Sequence, residues 1–228
     1  TCGNGVVEGN FTQVSVGDLH TCGINSSGAV ECWGRDDYGQ SSSPAQEQCD
    51  DGNTSDNDGC NSSCQLEPDP VCGNGVVEPY VFTQVAAGGS FTCAINSSGT
   101  VQCWGSDVGG VSSPPPGTFT EISACGVHAC GINNSGTVQC WGATGGSSPP
   151  PGTFTQVSAG QAYACAISSS GEVQCWGTNV SGQSSPPSGT FTQVSAFWYH
   201  ACAISSSGEV ECWGSFVGSS PRAASLKS

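Results

Sequence analysis

One pattern occurs five times in this chain and constrains its fold more than anything else. It opens on Phe-Thr, closes on Cys-Trp-Gly and carries two cysteines ten residues apart. The copies run from Phe11 to Gly34, Phe82 to Gly105, Phe119 to Gly142, Phe154 to Gly177 and Phe191 to Gly214. The last four begin 37, 35 and 37 residues apart. A repeat of this length marks one supersecondary unit that buries its apolar face by stacking on its neighbours. Linkers such as Ser112–Gly117 and Ser147–Gly152 carry consecutive prolines, which cannot continue a hydrogen-bonded ladder, so each copy is a punctuated unit.

Inside a unit the period is two. Cys22, Ile24, Val30 and Cys32 fall on one face if residues 21–33 form a hairpin. Pairing Cys22 with Cys32 also pairs Ile24 with Val30 and Asn25 with Ala29, leaving Ser26-Ser27-Gly28 as the loop. Such a loop places its third residue in the left-handed region, and Gly28, Gly99, Gly136, Gly171 and Gly208 stand there in every copy. The same register sets two cysteines opposite each other at a separation close to disulfide geometry. It predicts the bridges Cys22–Cys32, Cys93–Cys103, Cys130–Cys140, Cys165–Cys175 and Cys202–Cys212.

Sixteen cysteines suit an oxidising compartment, and the expected location is extracellular or at the cell surface. Zinc is the weaker explanation, because three histidines and no paired C-x₂-C knuckles leave little of its usual ligand pattern. The formal net charge is -15, with only 3 Lys plus Arg against 18 Asp plus Glu. Affinity for nucleic acid comes mainly from cations that neutralise phosphate, so nucleic-acid binding is excluded as an expectation, and anionic membrane surfaces with it. No apolar run reaches the ~20 residues of a spanning helix, so no membrane insertion is expected. The opening TCGNGVVEG is not a signal peptide, and the chain reads as mature or excerpted.

The pattern G-x₂-H-T/A-C-x-I…G-x-V-x-C-W-G, followed in the first copy by Tyr38-Gly39-Gln40, resembles the repeat of the regulator of chromosome condensation and β-lactamase-inhibitor protein II superfamily. Those proteins are β-propellers, commonly of seven blades. The resemblance implies an all-β, propeller-like array of five disulfide-stapled repeats plus a small disulfide-rich insert. Five copies instead of seven leave open a smaller closed ring, an open arc or part of a longer array. The expected organisation is 1–46 for the N-terminal CGNGVVE segment and first repeat, 47–81 for the insert and 82–228 for the remaining repeats. CGNGVVE at Cys2 to Glu8 and again at Cys72 to Glu78, with EQCDDGNTSDNDGCNSSC between, resembles the myxococcal-type cysteine-rich repeat of secreted surface proteins. This reading brings the Cys2 end and Cys49 together in space.

Hairpin pairing leaves Cys2, Cys49, Cys60, Cys64, Cys72 and Cys125, whose connections the sequence does not sort. Cys125 replaces a glycine found at Gly17, Gly88 and Gly160, and is expected to pair outside its own hairpin, with Cys72 or with another molecule. Asp50, Asp51, Asn53, Asp56 and Asp58 offer the hard oxygen ligands that calcium prefers, although Ser62 stands where an EF-hand has its bidentate glutamate. A structural calcium is weighed there against a solvated acidic turn; no other cofactor is expected.

His20, His128 and His200 share one offset in three copies, and Phe91 and Tyr163 fill it in the others, so aromatic bulk is what the site accepts. No nucleophile is paired with a unique His and Asp, and the chain is not expected to be an enzyme. The repeated Trp33, Trp104, Trp141, Trp176 and Trp213 read as packing between blades. Phe197-Trp198-Tyr199 replaces small residues of the other copies and is a candidate partner contact or a cover for the terminal blade. Asn10, Asn25, Asn53, Asn61, Asn96, Asn133 and Asn179 stand in glycosylation sequons, and Asn-Ser-Ser-Gly is also good turn sequence. The combination resembles bacterial surface proteins and algal mastigoneme-type glycoproteins. It implies an extracellular structural protein, a subunit or module of a glycosylated surface filament, with itself or other surface proteins as partners and with covalent glycans. The alternative is a soluble secreted protein-binding module, inhibitor-like or adhesin-like, that uses one propeller face.

Overall fold

The computed structural model describes residues 10–42, 81–143 and 148–215. These form five antiparallel sheets of three strands each, and no helix. The first sheet holds β1 (Phe11–Val16), β2 (His20–Asn25) and β3 (Val30–Gly34), in that order. The second holds β4 (Phe82–Ala87), β5 (Phe91–Asn96) and β6 (Val101–Gly105), and the third β7 (Phe119–Cys125), β8 (His128–Asn133) and β9 (Val138–Gly142). The fourth is β10 (Phe154–Ala159), β11 (Tyr163–Ser168) and β12 (Val173–Gly177), and the fifth β13 (Phe191–Phe197), β14 (His200–Ser205) and β15 (Val210–Gly214).

The hairpin register is the one the cysteine spacing predicts. Cys22 faces Cys32 and Ile24 faces Val30, with the same pairing in every sheet. All five hairpin disulfides are formed. Turn chemistry fixes that register: Asn25 Oδ1 accepts from the main-chain N–H of Ser27 and Ala29, both at 3.0 Å, and Gly28 adopts φ 82°. In the last two hairpins serine does the asparagine's work, Ser168 Oγ accepting from Glu172 N and Ser205 Oγ from Glu209 N, each at 3.1 Å. The first strand of each unit carries a bulge between its Phe and the residue two further on. The Thr between them donates back to the Ile carbonyl across the strand pair, as Thr12 does to Ile24 O at 3.1 Å.

Successive sheets pack face to face, and each junction has its own apolar cluster. Cys22, Ile24 and Val30 meet Phe82, Val85 and Ala94, and the same positions meet at the next three junctions. A polar seam runs beside each cluster. Gln13 Oε1 accepts from Val85 N (2.8 Å), Gln84 Oε1 from Ile122 N (2.8 Å) and Gln156 Oε1 from Val194 N (2.7 Å). Ser15, Ser123 and Ser158 hydroxyls take the N–H two residues on, at 2.8–3.0 Å. These side chains satisfy main-chain donors that an edge strand would otherwise leave bare. Three of the repeated tryptophans reach the loop that follows the preceding sheet, Trp104 Nε1 to Gln40 O (3.1 Å), Trp141 Nε1 to Val111 O (3.0 Å) and Trp213 Nε1 to Gln183 O (2.8 Å). The tryptophans therefore pack between blades.

Of the three arrangements the repeat count leaves open, a closed ring is the one whose junction the described residues lack. Val85, Ile122, Val157 and Val194 are 2–3% exposed, whereas the equivalent Val14 is 52% exposed. Val210 is 59% exposed where its four equivalents are 6–8%. The first and last sheets thus keep the two halves of a blade junction open.

Cys125 departs from expectation. It is a buried free thiol in this structure. It occupies the inner end of β7 beside the main chain of Trp198, where burial pushes the thiol up to about 11. A thiol held protonated there should resist iodoacetamide in the native protein and react on unfolding; rapid native alkylation, read by mass, would show the pocket to be open.

Candidate functional site

The strand directions sort the surface into two ends. The β1–β2 turn and its equivalents lie at one end. The segments that follow each third strand lie beside them, because Arg35 N donates to Leu19 O, Ser106 N to Ser90 O and Ser215 N to Tyr199 O, at 2.8–2.9 Å. The Asn-Ser-Ser-Gly hairpins lie at the other end. Among the exposed large apolar side chains of the described residues, Val16, Leu19, Tyr38, Val108, Val127, Val180, Phe197, Trp198 and Tyr199 are at the turn end, and Val14 and Val210 are elsewhere. The exposed apolar side chains are therefore concentrated at one end.

The inner turns are tied together. Asp18 N donates to Gly88 O (3.3 Å), Gly89 N to Gly126 O (2.8 Å) and Gln161 N to Trp198 O (3.3 Å). Trp198 Nε1 then reaches Asp18 Oδ1 at 3.4 Å, joining the last sheet to the first. The Trp198 ring packs tilted against Phe197 at 6.3 Å and edge-on against Tyr199 at 5.9 Å. The aromatic trio singled out in the sequence is thus exposed at the centre of the apolar end. What the sequence did not reveal is its company: Asp18 comes from the first copy, and only the shared turn offset could have pointed to it.

The histidines do not converge on a reaction centre. His20 and His128 are buried in different sheets, and burial lowers the pKa of both rings. His20 Nε2 shares a hydrogen bond with Thr92 Oγ1 at 2.6 Å, and Thr92 in turn donates to Gln40 O. His128 lies beside the main chain of Tyr163 and Gln161 without forming a full hydrogen bond. Among the described residues no group of three His, Cys, Asp or Glu is placed to hold a metal. The proposed calcium ligands Asp50, Asp51, Asn53, Asp56 and Asp58 lie outside the described residues. So do Asn53 and Asn61 as sequons. Asn10 is exposed, whereas Asn25 and Asn133 are half-buried and Asn96 buried, their side-chain oxygens holding the turns. Asn179 similarly closes a loop through Ser184 N and Ser185 Oγ.

Glu121 is a carboxyl built into a blade junction. It stands where the other copies have glutamine and accepts from Val157 N at 3.3 Å. Burial raises its carboxyl from the ordinary value to about 7. Its contribution to stability is present below the unfolded value near 4.5 and lost as pH rises through 7. The histidines act with the opposite sign: the unfolded chain gains protons as pH falls below about 6.5 and the fold does not, so acidification destabilises. Glu121→Gln keeps the acceptor and removes the charge. It should stabilise at pH 8 by roughly 1–2 kcal/mol, discounted for partial exposure, and by much less at pH 5. Urea unfolding at both pH values tests this, and an equal effect at both would refute it.

Two shallow grooves lie at the linkers. The larger, 410 Å³, is lined by Ser113, Pro115, Val138, Gln139, Cys140, Trp141 and Pro149 and contains no ionisable group.

Comparison with known proteins decides the repeat's kinship. The model described as "Regulator of chromosome condensation (RCC1) repeat" matches residues 11–40, 82–110 and 154–183, which are the first, second and fourth copies. Those three copies match the regulator of chromosome condensation repeat. The third and fifth copies share their strand order and register. Among solved structures, the CRINKLY WD40 ectodomain of the Arabidopsis thaliana receptor kinase ACR4 is 27% identical with TM-score 0.63, over 90% of this chain and 64% of that one. The entire ectodomain of the Physcomitrella patens receptor kinase CR4 is 22% identical with TM-score 0.67, over 92% and 53%. Prp20p of Saccharomyces cerevisiae, described with its binding properties to Gsp1p and histones, is 16% identical with TM-score 0.65, over 90% and 57%. The chain spans less than two thirds of each of these proteins. No curated protein sequence matches it. The fold is all-β and propeller-like, and five disulfides call for an oxidising environment.

Proposed function

We propose that this chain is an extracellular protein-binding and structural module, a rigid part of a glycosylated surface filament or appendage, that docks through the end carrying Phe197, Trp198 and Tyr199. The observation that carries the reading is the concentration of exposed apolar side chains at that one end, in a chain otherwise acidic and polar. The disulfide staples supply rigidity without a large core, and the ectodomain neighbours support a place outside the cell. Its action is binding rather than catalysis, because the buried histidines stand apart in separate blades; turnover of a glycoside or peptide substrate that persists through purification would contradict this. A structural calcium at Asp50, Asp51, Asn53, Asp56 and Asp58 remains part of the proposal, tested by calorimetric titration with calcium.

The second reading, a soluble inhibitor-like module that captures one partner with this face, is favoured by protein partners named for fold neighbours such as Prp20p. Electron micrographs and sedimentation separate the two. A filament module pellets as ordered fibres, whereas an inhibitor-like module sediments as a monomer. In either case Trp198→Ser should abolish association while leaving the melting curve cooperative. Association untouched by this substitution would move the docking surface elsewhere.

A further inference from the structure

The central turn of the last blade is built in a manner that packing does not explain. Trp198 is the one non-glycine among the described residues with positive φ, at 37°. At the same turn position the second and third copies have Gly89 and Gly126, and Gly126 adopts φ 56° without a Cβ penalty. A bulky residue in this region costs on the order of 1–3 kcal/mol. Burial does not offset that cost, because the indole stays 40% exposed and its neighbours Phe197 and Tyr199 are 45% and 44% exposed. Strain kept at an exposed aromatic points to something the ring must meet.

Charge says what that is. The Asp18 carboxylate touches the edge of the Trp198 indole; the ionisable group it faces is His20, whose burial lowers its pKa and disfavours the charged form. Arg35 is the only Lys or Arg among the described residues, and it is paired with Asp37. Asp36 and Asp107 on the same end are committed to closing their own loops through Ser41, Ser42 and Ser112. Aromatic faces attract cations through their quadrupole, and a carboxylate beside them adds a hydrogen-bonding anchor. A second copy of a chain with net charge -15 would bring like charge to this surface, as would an anionic lipid.

We infer that Trp198, flanked by Phe197 and Tyr199, and Asp18 form a recognition site for a Lys or Arg side chain on an apolar, basic segment of a partner protein. Leu19 and Val127, both exposed on turns of the same end, take the apolar side chains of that segment. This inference rests on the reading of the turn end as the docking face.

The test uses the full disulfide-bonded chain and three twelve-residue peptides, built of Leu and Arg, Leu and Gln, or Leu and Glu, with binding followed by fluorescence anisotropy of the labelled peptides. The Leu/Arg peptide should bind at least tenfold tighter than Leu/Gln, and Leu/Glu should not bind. Asp18→Asn should reduce Leu/Arg binding about tenfold and spare Leu/Gln. Trp198→Gly, which suits the backbone, should weaken both while leaving the melting temperature unchanged or raised. Equal binding of Leu/Arg and Leu/Gln would overturn the cation site yet leave the docking face standing. Leu/Arg binding insensitive to both substitutions would mean diffuse attraction to an acidic protein, and would overturn it too. If no peptide binds while Trp198→Ser still abolishes self-association, the occupant is a second copy and the inference fails.

Discussion

Complete reduction of the five hairpin disulfides should unfold this protein at room temperature without denaturant. Each bridge closes a loop of sequence separation 10, which by chain entropy contributes roughly 2–3 kcal/mol. Five together reach on the order of 10–15 kcal/mol, as large as the whole stability of an ordinary domain. The apolar clusters are thin layers between small sheets, with Ala, Cys and Val prominent, and have little surplus to replace that contribution. The order of loss should follow exposure. Cys22, Cys93, Cys130 and Cys165 are 0% exposed, whereas Cys202 is half-buried and Cys212 exposed because none of the described sheets covers the last blade. Limited reductant should therefore open Cys202–Cys212 first, and differential alkylation followed by peptide mapping reads the sequence of events. Near-native far-ultraviolet circular dichroism after all bridges are reduced would show that packing alone sustains the fold.

The hairpins were legible because three independent signals agree on them: cysteine spacing, the glycine ending the loop, and the alternation of Ile24 and Val30 with polar residues. The role of the tryptophans followed from their fixed offset. Other features were hidden for physical reasons. Gln13 and Ser15 look like ordinary solvent-facing strand residues, and only the neighbouring sheet turns them into acceptors for bare N–H groups. Glu121 at the equivalent place looks like a surface charge, yet the junction raises its pKa. Cys125 seemed to need a partner because oxidising conditions favour pairing; burial at the end of β7 instead keeps it as a free thiol. The candidate site was half legible. Consecutive aromatics announced themselves, whereas the approach of Asp18 depends on an association across 180 residues that local pattern does not encode.

The phenylalanine that opens each repeat should report directly on whether the array closes. Phe82, Phe119, Phe154 and Phe191 are 2–5% exposed within the four apolar junctions, and each truncation to alanine removes a buried ring and leaves a cavity. The expected cost is about 3–5 kcal/mol at those positions. Phe11 is only half-buried; it packs on Trp33 at 5.6 Å within its own sheet, and none of the described sheets covers it. Phe11→Ala should therefore cost roughly 1 kcal/mol, nearer the value for a surface residue. Urea unfolding of the oxidised variants measures the series, with an unchanged m-value as the check that the same surface is being exposed. If Phe11→Ala costs as much as Phe154→Ala, the first and last sheets meet in solution and the five blades form a ring. If it falls to the surface value and stays there when the protein assembles, the open junction is not what holds the assembly together. Contact through the apolar end would then be the surviving explanation, since that end lies at the turns and is independent of the uncovered sheet faces.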